Sequence, residues 1–82
     1  MLNEFGLSNE PFERAMERIQ ALIDRGQDPV DGTLRRIAAT QDPDKLLGIY
    51  QAARLMVQIN KRNAVKNQWK YVARAAAHKR NE

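Results

Sequence analysis

Ile59-Asn60-Lys61-Arg62-Asn63-Ala64 is the stretch whose reading decides the fold. Upstream of it, Leu46, Ile49, Tyr50, Ala53, Met56 and Val57 recur at steps of three and four, the spacing of one buried helix face. Downstream, Val65, Trp69, Val72 and Ala76 resume close to the same phase. One helix from 43 to 78 would then be about 54 Å long. It would overhang the first helix by more than half its length and need a partner to cover it. Four consecutive polar residues instead suit a turn, with Asn60 ending one helix and Asn63 capping the next. The break is the preferred reading, giving helices at about 43–59 and 64–78, with one continuous helix as the alternative.

Working outward toward the N-terminus, the punctuation becomes dense. All four glycines (6, 26, 32, 48) and all three prolines (11, 29, 43) lie in the first 48 residues, and none follows. Short helices joined by turns are expected there, and long helix afterwards. Ser8 is placed to cap a first helix, with Leu7 and Phe12 spaced as a hydrophobic staple across it. Phe12, Ala15, Met16, Ile19, Leu22 and Ile23 share a face, and Gly26 suits a left-handed C-terminal cap. This predicts a helix at about 9–25. Asp28-Pro29 and Asp42-Pro43 each place an acceptor at a helix start, followed by a residue with no N–H to orphan. They open helices at about 29–40 and 43–59. Val30, Leu34, Ile37 and Ala38 form the expected buried stripe of the former. No window alternates with period two for long enough to suggest a strand. The fold class expected is all-α, a small bundle of three to four helices.

The chain has 82 residues, no cysteine, and 35 hydrophobic residues of which 11 are alanine. That supports a single domain, 1–82, with one thin core. Disulfides, thiolate metal sites and cysteine nucleophiles are excluded. Met1-Leu2-Asn3-Glu4-Phe5 lacks the basic region and apolar run of a signal peptide. The longest run of large apolar residues, Leu55-Met56-Val57, is far short of the roughly 20 a membrane span needs. A cytoplasmic location with no membrane association is the expectation.

The formal charge of +4 averages two unlike parts. Residues 1–53 carry six basic and nine acidic side chains; residues 54–82 carry eight basic ones and only Glu82 against them. Within the basic part, Arg62, Lys66, Lys70, Arg74 and His78 follow one another at steps of four. On a helix they form a ridge about 24 Å long. No acid lies among them to make the pairs that usually lace a solvated helix. Such a ridge suits phosphate contacts, with counterion release, steep salt dependence and little sequence preference. Arg54, Lys61, Lys79 and Arg80 extend the field. Lys79 and Arg80 also lie where a helix C-terminus favours cations. Trp69 falls on the apolar stripe and is expected in the core. Tyr71 lies off it beside Lys70, where it could stack on an unpaired base.

Basic amphipathic helices also bind anionic lipid, but here the side opposite the charge offers Ala73, Ala75, Ala76 and Ala77, too little apolar bulk to anchor. Those small residues, with Leu55, Ile59 and Tyr71 off the main stripe, suit another helix instead, from a protein partner or a second copy.

Catalytic chemistry is sparse. Ser8 is the only serine and has a capping role; His78 is the only histidine and has no acid expected beside it. The aspartates at 28, 31, 42 and 44 belong to helix starts, and a calcium loop beginning at Asp24 would put Pro29 where glycine is required. Gly32 and Gly48 form no phosphate-cradling loop. A DNA-reading helix-turn-helix is disfavoured, because the third helix opens with an acid, Asp44. Arg35 and Arg36 make a second small basic spot.

The expectation is therefore a non-enzymatic protein without cofactor or metal that binds RNA or DNA through the backbone. Its candidate contacts are Arg54, Lys61, Arg62, Lys66, Lys70, Tyr71, Arg74, Lys79 and Arg80. By analogy alone, small basic helical proteins of this kind serve as accessory subunits of ribonucleoprotein or nucleoprotein assemblies, such as ribosome-associated factors and the small subunits of CRISPR effectors. The alternative is a helical protein-interaction module or small homo-oligomer that binds no nucleic acid.

Overall fold

The computed structural model describes residues 10–82, which form four α-helices: α1 (Glu10–Asp24), α2 (Pro29–Ala39), α3 (Pro43–Ile59) and α4 (Asn63–Arg80). Among the described residues there is no strand. The Ser8 cap and the Leu7 half of the staple lie outside the described residues.

The turns use the chemistry their residues supply. After α1, Gly26 adopts φ 72°, and the Gly26 and Gln27 amides donate to the Ile23 and Leu22 carbonyls (3.0 and 2.9 Å). This is the paired closure that a left-handed residue permits. Asp28 accepts from the Val30 and Asp31 amides, and Asp42 from the Asp44 amide, so both Asp-Pro steps cap helices.

The polar stretch at 60–63 does break the helix. Asn60 leaves helical geometry at φ −85°, ψ 138°, and its side-chain amide donates to the Met56 carbonyl (2.7 Å). The second half of the reading needs correction. Asn63 is the first residue of α4, and the extended N-cap is Arg62, with no side-chain hydrogen bond closing that end. An arginine has no acceptor to offer an orphan amide.

α3 is the central element. It packs along α4 as a helical hairpin on one side and against α1 on the other, while α2 touches all three. The core is Ala15 and Ile19 of α1, Ile37 of α2, Leu46, Ile49, Ala52, Ala53 and Met56 of α3, and Trp69, Val72, Ala73 and Ala76 of α4. Trp69 is 1% exposed, as its place on the stripe predicts. Two stripe assignments fail at helix ends. Ile23 is 44% exposed in the last turn of α1, and Ala38 is exposed near the end of α2. Thr33 is buried instead; its hydroxyl donates to the Pro29 carbonyl (2.6 Å), which removes the cost of burying it.

Gly48 sets how closely α1 approaches α3. A Cβ built there would lie 2.5 Å from the Pro11 carbonyl oxygen, so only glycine lets the start of α1 rest on α3. The glycine that forms no phosphate loop is a helix-contact residue.

Candidate nucleic-acid interface

Three hydrogen bonds from two side chains fix which way α4 faces. Lys79 donates through Nζ to the Ile37 (2.9 Å) and Ala38 (2.7 Å) carbonyls at the end of α2. Arg80 donates through Nε to the Pro43 carbonyl (3.2 Å) at the start of α3. At about 100° per residue, Lys79 therefore marks the flank of α4 toward α2, and Arg80 the flank toward α3. Continuing round the helix past α3, Lys66, Lys70 and Arg74 come next, on the side turned away from α2. Lys70 and Arg74 are exposed and Lys66 is half-buried at the edge of the core.

The same phase argument applies to α3, where Gly48 marks the flank against α1. Arg54, six residues on, lies about 120° from Gly48 by way of the exposed Gln51 and Gln58, on the far side of the buried arc that runs from Ala52 to Leu46. It is exposed. The hairpin thus carries Arg54, Lys66, Lys70 and Arg74 on its face opposite α1 and α2, with the exposed Lys61 and Arg62 at its turn. From Lys45 to Asn81 the chain contains no carboxylate, so Asp44, in the first turn of α3, is the one acid within the hairpin.

The ridge differs from its sequence picture in three ways. Steps of four advance about 40° beyond a full turn, so the array winds obliquely, from Lys66 beside the core to His78 on the far side. Lys79 and Arg80 are held on backbone carbonyls and are structural ties more than free cations. The side chain of His78 does have an acid nearby: its Nε2 lies 3.7 Å from Glu82 Oε1. Both groups are well exposed and the separation exceeds a hydrogen bond.

Tyr71 is 62% exposed and Ile59 58% exposed, as their positions off the stripe predict. Leu55, expected to be exposed, is half-buried. Ala73 and Ala76 are buried in the chain's own core, and Ala75 and Ala77 are half-buried. The alanine tail is used for close helix packing within this chain. Among the described residues there is no group of His, Asp or Glu placed to hold a metal ion. No described helix is long and apolar enough to cross a membrane.

The sequence reading missed one feature. Arg18, Arg25 and Arg36 line a single cavity between α1 and α2. Arg18 and Arg25 are seven residues apart, hence on one helical face, which was a usable signal. Arg36 joins them only through the α1–α2 turn.

The chain matches no known family model, no curated protein and no solved structure.

Proposed function

We propose that this protein is a non-catalytic nucleic-acid backbone binder that acts through the open face of the α3–α4 hairpin, as an accessory component of a nucleoprotein assembly. The observation that carries the reading is the grouping of exposed Arg54, Lys70 and Arg74 with the half-buried Lys66 on one face, in a stretch without carboxylates. Lys61 and Arg62 prolong that face at the turn. Unpaired cations on adjoining helices cost folding free energy through mutual repulsion, and phosphates spaced along a strand relieve it while releasing counterions. Tyr71, on the outer side of α4, offers a ring for an unpaired base. Lys79 and Arg80 support the site by anchoring the end of α4.

A second reading, as a helical interaction module, is supported by the exposure of Ile59 and Tyr71. With Ala73 and Ala76 buried and Leu55, Ala75 and Ala77 half-buried, these two are the fully exposed apolar residues of the surface first expected.

The test is titration of the full chain into labelled single-stranded RNA, single-stranded DNA and duplex DNA at several salt concentrations. Binding with log affinity falling linearly against log salt is expected, and the double reversal Lys66→Glu, Lys70→Glu should abolish it with helicity retained. Binding that survives that reversal would remove this face from the mechanism; no binding to any polymer at low salt would favour the interaction module.

A further inference from the structure

The basic residues of α1 and α2 divide into two groups. Arg14 pairs with Glu10, and Arg35 with Asp31 (3.0 Å), each one turn away on its own helix. Arg18, Arg25 and Arg36 make no side-chain hydrogen bond or ion pair with any described residue, and these three line the cavity between the helices. Its floor includes Ile49 of the core, and its α2 wall is Gly32, Thr33 and Arg36.

Arg36 is the unusual member. Its Nε is buried and has no hydrogen-bond partner, in a protein interior where nearly every buried polar atom has one. Burial first, then the charges of Arg18 and Arg14, hold its guanidinium below the ordinary arginine value. An 82-residue chain has little stability to spare, yet it sets like charges together across a helix contact and leaves a donor unmet. Neither packing nor solubility calls for this, since the stem of a methionine or leucine would fill the same space. A dianion would offset the repulsion among these arginines and offer an acceptor to the unmet donor.

We infer that the α1–α2 cavity is a binding site for the phosphate group of a small phosphate monoester. Guanidinium groups present paired N–H donors that match phosphate oxygens two at a time. A monoester carries about −1.5 to −2 charges at neutral pH and offers three terminal oxygens, a match for the three arginines that line the cavity from α1, the turn after it and α2. A single carboxylate would leave most of these donors unmet. The cavity volume of about 220 Å³ is below the roughly 300–1,000 Å³ of sites for drug-sized ligands, so the ester has a small body. The Thr33 hydroxyl is already committed to the Pro29 carbonyl, so the arginines provide the recognition. The site lies on α1 and α2, away from the hairpin face proposed for nucleic acid, and does not depend on that proposal.

The experiment is amide-resolved NMR titration of the full chain with inorganic phosphate, methyl phosphate and dimethyl phosphate, each against chloride at matched ionic strength and at a pH above about 7, where the monoester is doubly charged. Saturable shifts confined to residues around Arg18, Gly32, Thr33 and Arg36 are expected with the first two compounds. Arg36→Met, which keeps the aliphatic stem, and Arg18→Gln, at an exposed position, should each weaken binding roughly ten- to hundredfold, with the helical spectrum unchanged. Three results would each overturn the inference. One is shifts no larger than those from chloride, and another is shifts centred on Lys66, Lys70 and Arg74 that ignore both substitutions. The third is equal affinity for dimethyl phosphate, which would mean that the cavity takes the singly charged diester of a nucleic-acid backbone instead.

Discussion

The Lys79 ammonium is held by the carbonyl oxygen of Ile37 at 2.9 Å, across 42 positions of sequence, and it reaches the neighbouring Ala38 carbonyl as well. Both carbonyls lie in the last turn of α2, at the negative pole of that helix, and the Ile37 oxygen also accepts from the Thr40 amide (3.2 Å). One side chain thus joins the C-terminal turn of α4 to the C-terminal turn of α2. Lys79→Met, which retains the stem, should cost about 1–2 kcal/mol in urea denaturation. An effect within about 0.3 kcal/mol would mean that water serves these carbonyls equally well.

The contact between Gly48 and Pro11 makes an opposite forecast to helix propensity. Alanine in place of an interior helical glycine ordinarily gains about 1 kcal/mol. Here the added methyl meets backbone, which has no rotamer by which to yield, so Gly48→Ala should instead destabilise by about 1–3 kcal/mol. Chemical denaturation of the two proteins decides the sign.

Nucleic-acid binding should be divided unevenly among the cations. Lys70→Gln and Arg54→Gln should each lower the slope of log affinity against log salt by about 0.7 on single strands or about 0.9 on duplex. Lys79→Met should leave that slope unchanged, because its ammonium is engaged on α2. Equal losses from all three would show that only total charge matters.

The two aromatic residues of α4 should respond differently. Trp69→Ala removes a fully buried ring and should cost about 3–5 kcal/mol, enough to unfold so small a chain. Tyr71→Ala should change stability by less than about 0.5 kcal/mol and weaken single-strand binding by about 1–3 kcal/mol. Trp69 emission should be that of a buried indole and remain unquenched by nucleic acid.

Removing the charge of Arg36 should not harm the free protein. Folding lowers this group's affinity for its proton, so the unfolded chain holds the proton more tightly. The resulting penalty is fully present below the lowered value and is relieved only as pH rises through it toward the ordinary arginine range. Between about pH 5 and 9 it is therefore constant. Arg36→Met should leave stability unchanged or raise it by up to about 1 kcal/mol in that window, with no new pH dependence. A loss larger than about 1 kcal/mol in thermal or urea unfolding would show that the guanidinium has a structural partner.

Local chemistry was sufficient for the elements themselves. Asp28-Pro29, Asp42-Pro43, Gly26 and Asn60 act on their own few residues, through caps and a left-handed turn, and the helices begin and end close to where those signals lie. Trp69 was assignable to the core because a 3.6-residue period shows which side of a helix is apolar. The same reasoning fails wherever an outcome depends on which helix lies alongside. Ile23 and Ala38 sit on apolar stripes and are exposed, while Leu55 sits off its stripe and is half-buried. Lys79 and Arg80 look like free cations in a C-terminal run, and become ties only once α2 and α3 end and begin beside them. The order of residues along the chain was enough to determine an all-helical protein with a basic C-terminal part. Tertiary packing decided which of those cations stay free and brought three arginines to one cavity, because both depend on contacts between residues far apart in sequence.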